Sequence, residues 1–306
     1  MYPSGSMTTR TDKKTITGVS QALFGYCWWG FVTAYFYHQL RGPEVLDLLS
    51  WRVLSALPIV ILVLYFSRSI HRLREALTSW ANIRWLLLSA FLILVNWLVY
   101  IWAVVSDQLV DASLGYYLNP LVSVALGAFV LRERLRPVQS VAVLTALVGV
   151  VVFTVMVGHL PWIAIALAVS FPLYGLIRKQ CPTEALVGLT VELIIIFPLM
   201  FTLTLFFISR GESVFQTGTE AQGWLTPLSG IVTIVPLVCY SAAARKLKFS
   251  TVGMLQYIAP TGQLLSAVLL FGEKMAIQNW VVFVCVWIAI ILYSADSIIQ
   301  HGSNRD

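Results

Sequence analysis

Two charged residues, Arg52 and Glu192, each lie inside a long apolar segment of this 306-residue chain. An ionisable side chain inside such a segment costs free energy and usually serves a function. Each lies about eight residues into its segment, roughly 12 Å from one end if the segment is a helix. We expect both to face a central cavity and to interact, directly or through a bound substrate. The alternatives are that Arg52 extends toward water and that Glu192 is protonated or bonded to a neighbour.

Further polar and aromatic side chains lie in the same apolar segments. Asn96 and Tyr100 are four residues apart and therefore share one face of a helix. Tyrosine and amide groups suit a solute that is partly polar and partly apolar, although they also hold helices together. The predicted substrate-binding residues are Arg52, Asn96, Tyr100, Tyr117, Asn119, Tyr174, Glu192, Tyr240, Gln256 and Tyr257.

Two prolines, Pro120 and Pro260, lie in the middle of apolar segments. Proline has no backbone N–H group, and it therefore bends or interrupts a helix. We predict that both are hinges. A bend that only shapes packing is the alternative.

Motifs for enzymatic chemistry do not occur in the sequence. HExxH, GxSxG and Walker A patterns are missing, and the four cysteines and four histidines show no metal-ligand spacing. We therefore expect no catalytic residue, no metal site and no cofactor.

The composition is that of a protein surrounded by lipid. Hydrophobic residues make up 58% of the chain, charged residues only 11%, and the mean hydropathy is +0.83. A soluble protein carries about 25% charged residues, and a membrane-spanning helix needs about 20 mostly apolar ones. We predict an all-α integral membrane protein with ten transmembrane helices. The predicted spans are 17–38, 44–67, 84–106, 111–131, 137–157, 161–179, 185–208, 223–244, 250–272 and 277–298.

The basic residues indicate how these spans are oriented. Sixteen of the 20 Lys and Arg residues fall in one alternate set of connections and tails, and three fall in the other set. Because cytoplasmic loops carry the excess of Lys and Arg, both termini are predicted to be cytoplasmic. This distribution also accounts for the net charge of +6, so we expect no nucleic-acid partner.

The second half of the chain repeats features of the first at an offset of 140. Tyr117, Pro120 and Glu133 match Tyr257, Pro260 and Glu273, while Arg52 and Pro58 match Glu192 and Pro198. Each half has five spans, and an odd number makes the repeats inverted. The predicted units are a tail (1–16, with 1–6 a vector-derived addition), two repeats (17–157 and 161–299) and a second tail (300–306). We interpret Glu133 and Glu273 as structural anchors at span ends.

Several stretches also carry a family resemblance. They are Asn96-Trp97, ASLGYYLNPLV at 112–122, Arg132-Glu133-Arg134, Tyr174-Gly175-Leu176, GIVTIVPLVCYSAAA at 230–244 and QYIAPT at 256–261. They resemble the drug/metabolite transporter superfamily with paired EamA domains, and within it the chloramphenicol-sensitive protein RarD group. The resemblance covers about residues 17–298. It implies two EamA repeats and permease activity on amino acids, other metabolites or drugs, with chloramphenicol as a candidate.

These observations predict a transmembrane transporter, a permease or exporter that moves small amphipathic solutes by alternating access across a bacterial inner membrane. Its partners are a small-molecule substrate and the lipid bilayer. Coupling to protons (with Glu192 as the carrier), exchange and facilitated diffusion stay open, as does the choice between monomer and homodimer. A receptor or binding protein without flux is the alternative, followed by a membrane-embedded enzyme.

Overall fold

The described part of the chain is almost entirely helical and contains no strand. A computed structural model describes residues 5–105, 109–158, 162–270, 272 and 277–303. The α-helices are α1 (Gly5–Cys27), α2 (Ala34–Gln39), α3 (Val45–Phe66), α4 (Ile70–Thr78), α5 (Trp80–Val105), α6 (Leu109–Phe129), α7 (Pro137–Val157), α8 (Trp162–Gln180), α9 (Ala185–Arg210), α10 (Val214–Thr217), α11 (Glu220–Leu225), α12 (Ser229–Ala244), α13 (Phe249–Gln256), α14 (Ile258–Leu269) and α15 (Ile277–Ser303). A π-helix (Trp28–Thr33) joins α1 to α2, and a 3₁₀ turn (Thr226–Leu228) joins α11 to α12.

Six helical stretches among the described residues are long and apolar enough to cross a membrane. They are Val45–Phe66, Trp80–Tyr100, Pro137–Met156, Trp162–Gln180, Ala185–Thr217 and Glu220–Ala244. Large apolar side chains such as Phe91, Phe129 and Val155 are exposed on the outside, which suits contact with lipid. The count of ten and the orientation of the termini stay predictions.

Several helical regions lie beyond the predicted spans, among them the start of α1, the whole of α4 and the short helix α10. Helix α1 begins at Gly5, because the polar residues before the first apolar segment continue the same helix. Helix α4 lies in the connection between the second and third spans. It buries Leu73 and Ala76 and exposes Arg72 and Arg74, as expected of a helix lying in the membrane interface.

Helices α3 and α9 pack against each other in antiparallel directions. At one end, Leu64 near the end of α3 packs with Val187 and Val191 near the start of α9. At the other end, Asp47 in the first turn of α3 accepts hydrogen bonds from the backbone N–H of Val214 (2.6 Å) and the hydroxyl of Ser213 (3.0 Å), just after α9 ends. Two residues at the same distance from the first residues of α3 and α9 therefore lie at different positions along the helix pair.

Four pairs of helices make extensive contacts. Helix α5 packs on α8, and α12 packs on α1. Helix α6 packs on α13, and α7 packs on α15. At an offset of about 140 residues, α5 corresponds to α12, while α6 and α7 correspond to α13 and α15.

Two helices are interrupted where they meet. The π-helix contains Gly30, and a Cβ atom built there would lie 2.9 Å from the Cα atom of Gly262 in α14. Helix α13 ends at Gln256 because Pro260 has no N–H group to donate to the carbonyl of Gln256. Helix α6, in contrast, runs through Pro120 without a break. The two predicted hinges therefore differ in local structure.

Candidate functional site

Glu192 on α9 is buried among polar groups from three other helices. The hydroxyl of Ser89 on α5 donates to its Oε1 atom (2.5 Å), and that of Tyr174 on α8 donates to its Oε2 atom (3.3 Å). Nε of Arg178, also on α8, lies 3.5 Å from Oε1 and forms an ion pair with the carboxylate. Tyr240 on α12 stacks on Tyr174, with ring centroids 6.3 Å apart and planes inclined by 15°. These five residues form the Glu192 cluster, and each is exposed by 1% or less.

Two glycines make room for the large side chains of the Glu192 cluster. A methyl group at Gly188, one turn before Glu192, would overlap the guanidinium of Arg178. A methyl group at Gly175 would overlap the hydroxyl of Tyr240. Arg178 also donates from Nη2 to the carbonyls of Glu184 (3.2 Å) and Ala185 (3.1 Å), where α9 begins. Several independent contacts thus fix the position of this cation.

The sequence predicts that Arg52 and Glu192 interact directly or through a bound substrate, and in this structure Glu192 is paired directly with Arg178 instead. Both residues lie about seven positions into antiparallel helices, and they therefore approach the midplane from opposite ends. Glu192 is paired with Arg178, whereas Arg52 lies over the ring of Trp97, so the two residues belong to different clusters. Of the alternatives given for Glu192, bonding to neighbours is the one observed.

Arg52 instead lies with aromatic side chains near the other end of α3. Its Cζ atom is 4.3 Å from the centroid of the Trp97 ring, which is a cation–π contact. Its charge acts on the hydroxyls of Tyr100 on α5 and Tyr116 on α6, whose rings are 5.8 Å apart. Arg52, Trp97, Tyr100 and Tyr116 form the Arg52 cluster. Unlike the Glu192 cluster it is partly accessible, and Tyr100 is 37% exposed.

The two predicted asparagines converge on helix α8. The side-chain nitrogen of Asn96 donates to the hydroxyl of Ser170 (3.0 Å) and the carbonyl of Leu167 (3.5 Å). With its amide oriented to satisfy its neighbours, the nitrogen of Asn119 donates to the carbonyls of Leu167 (3.0 Å) and Gly115 (3.2 Å). Both amides therefore hold helices together, which is the alternative to substrate binding given for such groups in the sequence analysis.

The remaining predicted residues lie around the break between α13 and α14. Tyr117 and Tyr257 belong to an apolar cluster with Phe153. The hydroxyl of Tyr257 and Oε1 of Gln256 are buried without a hydrogen-bond partner among the described residues. The structure does not bring these three predicted residues to either charged cluster.

Sequence reasoning missed Arg178, Ser89 and Asp47. Arg178 stands beside Lys179 at the end of a span, and such a pair indicates orientation rather than a buried site. Ser89 has no distinctive spacing. A signal for Asp47 does exist, since it is an acidic residue only five positions before Arg52 in the same apolar segment.

Glu133 acts as the predicted structural anchor. Its carboxylate accepts hydrogen bonds from the backbone N–H groups of Phe249 (2.6 Å) and Ser250 (2.9 Å), at the start of α13. A carboxylate at a helix N-terminus satisfies free donors and interacts favourably with the helix dipole. Glu273, its counterpart in the repeat, lies outside the described residues, as do Met1–Ser4 of the predicted vector-derived segment.

Two surface grooves lie away from both clusters. One of them, of about 380 Å³, is lined by Gln39 and by apolar residues of the π-helix, α2 and α11. In the part of the chain that the structure covers, no group of three or more His, Cys, Asp or Glu side chains is placed to hold a metal ion.

Comparison with known proteins identifies relatives over nearly the whole chain. The EamA-like transporter family matches residues 16–155. An uncharacterized transporter of Pseudomonas aeruginosa is 42% identical, with 92% of this chain and 94% of that protein aligned. Protein RarD of Escherichia coli is 37% identical over 94% of this chain and 96% of its own length. A chloramphenicol-sensitive protein RarD of Pseudomonas aeruginosa is 30% identical over 85% and 88%.

A solved crystal structure shares the fold. It superposes with a TM-score of 0.68, covering 92% of this chain and 98% of the other chain at 18% identity. At that identity the likeness concerns the fold alone.

Proposed function

Because the chain belongs to the EamA-like transporter family, as a RarD-like member of the drug/metabolite transporter superfamily, we propose that it is a permease or exporter working by alternating access. The membership makes it a multi-pass membrane transporter. Our proposal adds ten spans in two inverted repeats, cytoplasmic termini and a bacterial inner membrane. The substrates are small amphipathic solutes such as amino acids, other metabolites or drugs, with chloramphenicol among the candidates.

The inverted repeat is supported by sequence and packing together. Residue matches at an offset of 140 pair α3 with α9 and α6 with α13 and α14, and the same offset carries the range of α5 onto that of α12. The helix contacts agree with this pairing, since α5 packs on α8 and its counterpart α12 packs on α1. Halves of opposite orientation that meet in this way are the architecture in which one half rocks against the other around a central site.

The observation that carries the mechanism is the unequal exposure of the two charged clusters. Arg52 and Glu192 occupy matching positions in the proposed repeats, yet every member of the Glu192 cluster is buried, whereas in the Arg52 cluster Trp97 is buried and the other three are partly exposed. An alternating-access transporter at rest has one end closed and the other open. The Glu192 cluster therefore forms the closed gate in this conformation. The opposite conformation requires the Glu192–Arg178 ion pair to separate.

The interrupted helices supply places where such a change can occur. The carbonyl of Gln256 lacks its helical donor, so α13 and α14 can change their relative angle without breaking a hydrogen bond at that point. The π-helix, which packs on α14 through Gly30 and Gly262, is the second such place.

The test is solute counterflow in proteoliposomes with labelled amino acids, aromatic metabolites and chloramphenicol, comparing wild type with Glu192→Gln. Saturable counterflow is expected in wild type. In the variant the ion pair is weakened, and the balance between the two conformations shifts away from the one in which it is closed. A shift of about 1.4 kcal/mol changes their ratio tenfold, and the counterflow rate is expected to fall because one conformation becomes scarce.

Glu212→Gln is the matched control, because Glu212 also pairs with an arginine, Arg210, but at the surface. It should transport like wild type. Binding of a solute without flux in folded wild-type protein would contradict the proposal and indicate a receptor. Equal rates in Glu192→Gln and wild type would remove the gate from the mechanism.

A further inference from the structure

Arg52 differs from the other buried or half-buried cations of the described chain in its partners. Arg178 has the carboxylate of Glu192, and Arg136 has that of Asp296 at 2.6 Å. Arg52 has the face of Trp97, and neither a carboxylate nor a carbonyl oxygen of the described residues accepts a hydrogen bond from its side chain. Its Nε atom is buried without a hydrogen-bond acceptor; Nε of Arg178 also lacks one, but it lies 3.5 Å from the carboxylate of Glu192.

Asp47 does not provide the missing negative charge. It lies five residues before Arg52 on α3, but its Oδ2 atom accepts hydrogen bonds from Ser213 and from the backbone of Val214. These contacts direct the carboxylate toward the connection that follows α9. Glu192 does not neutralise Arg52 either, because its carboxylate is paired with Arg178. Among the side chains that the structure describes, no carboxylate is paired with Arg52, and the Arg52 cluster carries a positive charge.

We propose that Arg52, together with the hydroxyls of Tyr100 and Tyr116, binds the carboxylate of the transported solute. This inference rests on the proposed transport function and specifies its substrate class. The substrates are monoanions or zwitterions whose remaining part is aromatic or apolar. Neutral and purely cationic solutes are poor substrates.

The chemistry of the cluster selects a carboxylate. A guanidinium carries its N–H donors in a planar fork that matches the two oxygens of a carboxylate. A single cation neutralises a single negative charge, whereas a phosphate dianion would be left half compensated at this depth. The rings of Trp97, Tyr100 and Tyr116 supply stacking area next to the cation. Trp97 also holds the guanidinium in place before a solute arrives.

This inference distinguishes between candidate substrates that family membership alone does not distinguish. Amino acids and aromatic acids carry the carboxylate. Chloramphenicol is a neutral molecule and would leave Arg52 without its partner, so we expect it to bind poorly.

The experiment measures binding to the purified full-length protein with four probes, of which the first three are similar in size and the fourth is larger. They are 3-phenylpropionate, phenylalanine, phenylalaninamide and chloramphenicol. Apparent affinities come from the dependence of the thermal unfolding midpoint on probe concentration. The two carboxylates are expected to bind at least tenfold more tightly than phenylalaninamide and chloramphenicol, as for the loss of one charge-assisted contact.

Three variants extend the comparison. In Arg52→Gln the preference for carboxylates should disappear, and Arg52→Lys should retain part of it because the charge remains. Arg84→Gln is the matched control, since Arg84 also lies over a tryptophan, Trp85, but is exposed at the start of α5. Its preference should equal that of wild type.

The outcomes distinguish this inference from the transport proposal. Equal affinity of wild type for 3-phenylpropionate and phenylalaninamide, or no binding of either carboxylate at millimolar concentration, overturns the inference; both are measured without any variant. An unchanged preference in folded Arg52→Gln also overturns it. Carboxylate-selective binding without counterflow supports the inference and contradicts transport.

Discussion

The ion pair between Arg178 and Glu192 gives a quantitative test of the buried cluster. Each side chain is exposed by 1% or less, so removing one charge leaves the other buried without its counterion. Breaking a buried pair in this way costs about 3–5 kcal/mol, whereas replacing both charges by apolar groups of similar volume is often nearly neutral. Arg178→Met and Glu192→Met are therefore expected to destabilise the protein singly by about 3–5 kcal/mol each.

The double variant is expected to lose far less than the sum of the two single losses. Ser89 can turn its hydroxyl to the carbonyl of Leu86, 3.1 Å away, while Tyr174 loses its acceptor. An unsatisfied hydroxyl costs about 1–3 kcal/mol, so the double loss should be of that size. The coupling energy in the cycle is then at least about 3 kcal/mol.

Thermal unfolding in detergent at a fixed scan rate is the assay. A loss of 1 kcal/mol lowers the midpoint by about 2 °C in a chain of this size, so each single variant should fall by about 6–10 °C. The control cycle uses Arg210→Met and Glu212→Met. That exposed pair is closer, at 2.9 Å, yet should couple by less than about 1 kcal/mol. Additive losses in the Arg178–Glu192 cycle, within about 0.5 kcal/mol, would refute the reasoning.

Three further predictions concern packing, capping and the interrupted helix. Gly175→Ala should lower stability by about 1–3 kcal/mol, because the methyl group displaces the hydroxyl of Tyr240, and an unchanged unfolding midpoint would contradict this. Glu133→Gln should cost about 1–2 kcal/mol by weakening the cap of α13, with a smaller loss in high salt, as measured by the same thermal scan. Pro260→Ala restores the missing N–H donor and should slow counterflow more than Pro120→Ala, since α6 is already continuous; equal rates would argue against a hinge at Pro260.

The sequence was sufficient for the membrane class, the family and the location of the helices. Apolar segments of about 20 residues have few folding options other than helices, because lipid offers no hydrogen bonds to the backbone. Each of the ten predicted ranges contains a described helix. The depth of Arg52 and Glu192 in their apolar segments also identified α3 and α9, the helices that carry the central residue of each cluster.

Partners across helices could not be read from the sequence. Arg178 pairs with Glu192 because the short connection between α8 and α9 brings the end of α8 to the start of α9, where Gly188 leaves space for a guanidinium. A glycine in an apolar segment has many other roles, so neither it nor the terminal arginine indicated a pair. The break after Gln256 and the continuity of α6 could not be predicted from the sequence either. A proline alone does not determine whether the surrounding packing keeps a helix continuous.

Helix α5 connects the two charged clusters and explains how their states can oppose each other. It contributes Ser89 to the Glu192 cluster and Tyr100 to the Arg52 cluster. These positions are about 16 Å apart along the helix at 1.5 Å per residue. If α5 tilts as a rigid body about a point between them, withdrawal of Ser89 from Glu192 moves Tyr100 in the opposite direction, toward Arg52. Under the proposed alternating access, opening of the gate at Glu192 is then linked to closure around a carboxylate at Arg52.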